Sequence, residues 1–244
     1  MKVIEYLRKR VKKETLHMTL IDPAKQEPEQ AGEIAASADR FGTDAIMVGG
    51  STGITQENLD ATILAIKKCT KLPVIYFPSG AHAISAHSDA IYFMSMLNSR
   101  NVKMIVGEQV AASRIVKKLG IEPISMGYII IEPGMKVGEV GQADVVKRDD
   151  PKSAVSYALA AEFMGMQLVY LEAGSGAPSP VPSEMIAEVR KNITVPLIIG
   201  GGIREPEQAA MVREAGANVI VTGTVVENGD YQVKLKAIIQ AVKG

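Results

Sequence analysis

PLIIGGGIREPEQAAMVREAGANVIVTGTVVE, residues 196–227, contains one local pattern twice. A short β-branched run, PLIIG (196–200), ends in glycines. A helical stretch near 206–215 follows, with Glu207, Ala210, Met211 and Glu214 at helical spacing and Gly216 as its stop signal. A second β-branched run, VIVTG (219–223), then ends in glycine again. Strand, glycine-rich turn, helix and strand in that order describe parallel strands joined by a crossover helix.

The same alternation extends back through the chain. LHMTLI (16–21), AIMVG (45–49), PVIYF (73–77), VKMIV (102–106), PISMGYIII (123–131) and LVYLE (168–172) read as the six earlier strands. Helices are expected near 28–41, 55–69, 84–98, 109–119, 151–164, 183–192 and 231–243 in addition to 206–215. Eight such units in 244 residues predict a single (β/α)8 TIM-type barrel spanning 1–244. An open doubly wound sheet usually has fewer strands and one switch point. The third unit is expected to be irregular, because GAHAISAHSDA (80–90) reads as loop as readily as helix. PGMKVGEVGQADVVKRDD (133–150) reads as a long loop after the fifth strand, of the kind that forms lids or binding loops at a barrel mouth.

Composition narrows the functional classes. Hydrophobic residues form 47% of the chain, enough for a full core without disulfides or structural metals. Cys69 is the only cysteine, which excludes an internal disulfide and fits a reducing interior. Lys plus Arg equals Asp plus Glu at 27 each, so no net field draws the protein to nucleic acid. No apolar run approaches the ~18 residues of a membrane span. A cytoplasmic protein is expected. In the basic N-terminus, Val3, Ile4, Leu7 and Val11 sit at helical spacing. A short apolar face without Trp or Phe favours a helix packed on the barrel end; peripheral membrane contact is the alternative.

Chemistry in such a barrel belongs at the carboxyl ends of the strands. Gly201-Gly202 after the seventh strand and Gly223-Thr224 after the eighth flank the place where barrels often hold phosphate, although glycines also serve plain turns. Arg204 lies one step further on and could pair with Glu205 or Glu207 instead. Asp22, at the end of the first strand before Pro23, is either a turn residue or a hard oxygen ligand for Mg2+. Ser51, in GGSTG (49–53), is either a helix cap or a hydroxyl ligand to the same metal.

Tyr170-Leu171-Glu172-Ala173-Gly174-Ser175-Gly176 follows the sixth strand's direction into its loop. Period two turns Tyr170 and Glu172 into the barrel mouth and Leu171 toward the helices. A carboxylate against apolar walls would have a raised pKa and suit a general base; an ion pair with Lys25 or Arg204 is the other reading. Glu132, before Pro133-Gly134, is accounted for by turn chemistry. His17, His82 and His87 lack metal-ligand spacing, and His17 reads as a packed core residue. Ala90, Ile91, Tyr92, Phe93, Met94, Met96 and Leu97 form an uncharged segment that reads as a buried or subunit-facing helix, or in part as the wall of an apolar groove.

HMTLIDPAK (17–25), VGGSTGIT (48–55), YLEAGSGAP (170–178), PLIIGGGIR (196–204) and VTGTVVE (221–227) together resemble the geranylgeranylglyceryl phosphate synthase family along nearly the whole chain. The resemblance implies a modified barrel that joins sn-glycerol 1-phosphate to geranylgeranyl diphosphate, the first ether step of archaeal membrane lipids. It implies Asp22 and Ser51 as Mg2+ positions. It implies Tyr170 to Gly176, Gly201-Gly202 and Gly223-Thr224 as the glycerol phosphate site, with Glu172 activating the hydroxyl. It also implies a homo-oligomer. A phosphoribosyl isomerase would need a second acid after the fifth strand and lacks YLEAGSG. A heptaprenylglyceryl phosphate synthase differs only in tail length, and a non-catalytic phosphate-binding barrel would need neither Glu172 nor Asp22.

Overall fold

The first strand, β1 (Leu16–Ile21), shows how the barrel is built. Leu16 and Met18 point into its interior, whereas Ile21 points outward into the layer between strands and helices. Alternation of this kind on every strand buries both faces, as an all-parallel sheet requires. The structure is a computed structural model and describes residues 1–227 and 229–244.

After a short helix α1 (Val3–Arg10) and β1, the chain runs through α2 (Pro28–Phe41), β2 (Ala45–Val48), α3 (Gln56–Cys69), β3 (Val74–Tyr76) and β4 (Ala90–Met96). A π turn (Lys103–Gly107) leads into α4 (Glu108–Leu119), then β5 (Glu122–Ile130), α5 (Met135–Val140), α6 (Pro151–Phe163) and β6 (Leu168–Glu172). The last units are α7 (Ser183–Asn192), β7 (Leu197–Gly200), α8 (Pro206–Glu214), β8 (Val219–Thr222), a 3-10 turn (Thr224–Glu227) and α9 (Gln232–Lys243). Each strand pairs in parallel with the next, and β8 closes on β1 with Thr19 opposite Thr222.

Local chemistry fixes the element ends. Asp150 accepts from the Ser153 amide at 3.0 Å and Pro151 opens α6, a cap and a first-turn proline acting together. Gly42 ends α2 at φ +100°, a left-handed backbone that glycine adopts without Cβ strain. At the floor, the Glu122 carboxylate accepts the amides of Val3 (2.6 Å) and Ile4 (3.0 Å), so β5 caps α1. Val3, Ile4 and Leu7 are buried against the barrel interior. The packing reading of α1 holds, and its apolar face is not free to enter a membrane.

The third unit departs from the sequence reading in two places. The sequence predicts helix at 84–98, but this segment contains β4, which follows β3 without an intervening helix. It predicts a strand at 102–106, but these residues form the π turn that begins α4. A short apolar run does not by itself distinguish a buried strand from a buried helix, and here length and the aromatics Tyr92 and Phe93 decide for strand. Val102 and Val106 are 68% and 48% exposed, which a strand of this barrel does not permit. The long loop at 133–150 carries α5 and is tied back by bridges Ser99–Ala143 and Ile131–Val146.

Candidate active site

A cavity of about 320 Å³ opens at the carboxyl ends of the strands. Its polar side is built by Asp22, Ser51, Glu172, Ser175 and the glycine loops after β7 and β8. Its apolar side is built by Met94 and Met96 of β4, with Met104, Val137 and Val140.

Glu172 is buried in the cavity wall, only 6% exposed. Parity places it and Tyr170 toward the interior, while Leu171 and Ala173 pack outward beneath the helices. Its Oε1 accepts the Gly174 amide at 2.7 Å. Burial raises its pKa, against the Gly174 amide and the Tyr170 and Tyr128 hydroxyls, which favour the charged form. The ion-pair reading of Glu172 fails. Lys25 instead meets Glu227 at 2.8 Å, and Arg204 donates to the Gly176 and Ala177 carbonyls. A desolvated carboxylate with no cation beside it among the described residues is suited to accept a proton.

The loop following β7 fits closely around that carboxylate. Gly201 has φ +82°, and a Cβ there would overlap Glu172 Oε1 and the Gly174 amide. Glycine is required at this point both for backbone conformation and for space. Gly202 and Gly223 continue the cavity wall. After β8 the first helical element is the 3-10 turn at Thr224, the kind of short extra helix that holds phosphate in many barrels. Ser175 Oγ and Thr224 Oγ1 are 3.3 Å apart, so the loops after β6 and β8 converge. Gly174 and Gly176, at φ +100° and +79°, shape the loop without lining the cavity.

Asp22 follows β1, the neighbour of β8 in the closed barrel, and Ser51 follows β2. Asp22 Oδ1 accepts the Ala24 amide at 3.0 Å. The carboxylate rests against Gly50, where any Cβ would overlap it, and this contact brings Asp22 beside Ser51. Burial raises the Asp22 pKa, and the Glu227 charge adds to the shift. Among the described residues no cluster of three His, Cys, Asp or Glu side chains could hold a metal by itself. One carboxylate and one hydroxyl facing a cavity fit Mg2+ that arrives with phosphate oxygens and water.

Sequence reasoning missed the aromatic plug beneath the site. Tyr128 meets Tyr170 edge-on at 5.2 Å, and Phe77 stacks on Tyr170 at 5.8 Å. Tyr128 faces inward opposite Tyr170 in the strand register, a pairing that parity hints at only once strand boundaries are known. Of the uncharged segment near 90–97, Met94 and Met96 line the cavity. Glu132 is not on the cavity wall and accepts from Arg148. His17 is fully buried between the Thr43 and Thr222 hydroxyls at 2.8 and 2.9 Å, and burial lowers its pKa to about 3. It is a neutral core residue.

Comparison with known proteins agrees with the fold. The model of the PcrB family matches residues 9–242. A geranylgeranylglyceryl phosphate synthase of Thermococcus gammatolerans is 58% identical over 93% of this chain and 90% of its own length. One from Thermococcus kodakarensis is 52% identical over 100% of this chain and 98% of its own. The crystal structure of (S)-3-O-geranylgeranylglyceryl phosphate synthase from Thermoplasma acidophilum, in complex with sn-glycerol-1-phosphate, superposes with a TM-score of 0.97 at 45% identity, covering 100% of this chain and 99% of that one.

Proposed function

The chain belongs to the PcrB family, and on that footing we infer that it is a prenyltransferase that joins sn-glycerol 1-phosphate to geranylgeranyl diphosphate through an ether bond, releasing diphosphate. The observation that carries this reading is the position of Glu172. It lies between loops built for a phosphate, at Gly201-Gly202 and Gly223-Thr224, and an apolar wall of Met94 and Met96.

With the phosphate of sn-glycerol 1-phosphate at the loops after β7 and β8, the glycerol hydroxyl lies toward Glu172. The carboxylate takes the hydroxyl proton as the alcohol oxygen attacks the first carbon of the prenyl chain, and the bond from that carbon to the diphosphate oxygen breaks. The Gly174 amide holds the carboxylate in place, and the Tyr170 and Tyr128 hydroxyls favour its charged form. The methionine side and α5 keep the reacting carbon away from bulk water. Bound Mg2+ would neutralise charge on the departing diphosphate, and Asp22 and Ser51 are the residues that would hold it. The two anion sites, on the neighbouring loops after β1 and β8, hold the two substrates side by side for reaction.

The same reading includes a cytoplasmic setting and an assembly of several copies. Among the described residues no helix is long and apolar enough to cross a membrane. Val102, Val106 and Val110 stand exposed at the start of α4 and supply an apolar surface that other copies would cover.

Labelled glycerol 1-phosphate, offered with a panel of prenyl diphosphates with Mg2+ and with chelator, tests the function. Metal-dependent ether product, greatest with the geranylgeranyl donor, is expected. Product only from a longer donor would move the chain to the heptaprenyl reaction, and no product from any donor would overturn the reading.

A further inference from the structure

Lys25 lies in the turn after β1, three residues beyond Asp22, and meets Glu227 of the neighbouring β8 loop at 2.8 Å. Glu227 is the last residue of the 3-10 turn whose first residue is Thr224. Both partners line the cavity, and their side chains are 46% and 26% exposed. Among the described residues the wall carries two other cations. Arg204 is engaged by the carbonyls of Gly176 and Ala177, and Lys136 pairs with Glu139 on α5. Lys25 is therefore the cation stationed beside Asp22, and its charge and that of Glu227 act on the Asp22 carboxyl with opposite sign.

A diphosphate leaving group carries more negative charge than one divalent ion neutralises. We propose that Lys25 binds the diphosphate of the prenyl donor and of the product, and that Glu227 holds the lysine when diphosphate is absent. The proposal rests on the prenyltransfer reading above. A half-exposed single ion pair is weak and easily exchanged, whereas a lysine placed on a polyanion makes charge-assisted hydrogen bonds. The long flexible stem of lysine suits such a transfer between partners.

The two halves of the pair predict effects of opposite sign. Inorganic diphosphate is titrated calorimetrically into the full chain, with and without Mg2+, alongside KM values for both substrates. Lys25→Gln is expected to weaken inorganic diphosphate and raise the prenyl diphosphate KM by about tenfold, the loss of one hydrogen bond to a charged group. Glycerol phosphate affinity should stay within about twofold. Glu227→Gln, which releases the lysine, should tighten inorganic diphosphate, and Lys25→Arg should restore most of the affinity lost in Lys25→Gln. If both Lys25→Gln and Glu227→Gln weaken diphosphate, or Lys25→Gln leaves it unchanged while transfer proceeds, the pair is a structural strut and the proposal falls alone. Failure of the unaltered protein to transfer any prenyl group overturns the function and the proposal with it.

Discussion

Glu172 and Gly201 touch so closely that a methyl group on Gly201 would occupy the space of Glu172 Oε1. The carboxylate and the loop after β7 are thus two sides of one wall, and neither can shift without the other. Gly201→Ala should lower kcat/KM for glycerol phosphate by about 10²-fold, the scale expected from small misplacement of reacting groups. Thermal unfolding, followed in parallel, should show a smaller change than activity does. Equal loss of fold and activity would argue against a shared wall.

Replacing Glu172 by Gln should leave glycerol phosphate binding largely intact while lowering kcat by about 10²–10⁴-fold. Calorimetric binding measured beside turnover separates the two. Normal turnover would remove Glu172 as the base.

The raised Glu172 pKa also fixes the pH behaviour. A base must be ionised, so kcat should rise with pH through that raised value, at higher pH than for an exposed carboxylate. Stability runs the other way. A carboxyl raised in the folded state contributes stability below its unfolded pKa, and this is lost as pH rises through the folded value. Glu172→Gln should therefore melt above the unaltered protein at neutral pH, with the gap closing as pH falls toward the ordinary carboxylate range. A gap that widens in acid would contradict the assignment.

His17 has the opposite linkage. Its pKa falls from 6.5 to about 3 on folding, so the stability it contributes is present above 6.5 and lost as pH drops through that window. The slope is ~1.4 kcal/mol per pH unit within the window. His17→Gln should be less stable at pH 7 but flatter between about pH 6 and 4, inside that window, when melting is followed in a pH series. Parallel slopes for both proteins would show that the ring is not held neutral.

Gly141, just past α5, faces Met96, and a side chain there would overlap the Met96 thioether. Gly141→Val should narrow the apolar wall and raise the KM for long prenyl donors several-fold, with glycerol phosphate KM unchanged. Steady-state kinetics with donors of increasing length will show whether the effect grows with the tail. Asp22→Asn should raise the Mg2+ concentration needed for half-maximal rate by at least about tenfold, since one carboxylate is the main protein ligand expected. An unchanged metal titration would remove Asp22 from the site.

Much of the site is legible in the chain itself, for reasons that differ by residue. Glu172 and Tyr170 are oriented correctly because β6 is a short strand with fixed parity, and parity survives an error of a residue at either end. The loops at Gly201 and Thr224 stand out because glycines at two adjacent strand ends bare the backbone to a ligand. β4 reads wrongly as helix because Ala90–Met96 is apolar on both faces, and a strand buried on both faces has no alternation to find. Tyr128 escapes notice because its place opposite Tyr170 depends on register between strands, which one strand's sequence does not carry. The Lys25–Glu227 contact joins residues separated by nearly the whole chain, and only closure of β8 on β1 brings them together.

The floor of the barrel, stopped by Val3, Ile4 and Leu7, makes the molecule a blind well. Substrates, water and diphosphate all pass over one rim. A lipid product cannot thread through and leave at the back; it withdraws tail and head together past Met96, Val137 and Val140, along the face of α5. Entry of substrate and exit of product therefore compete for one opening.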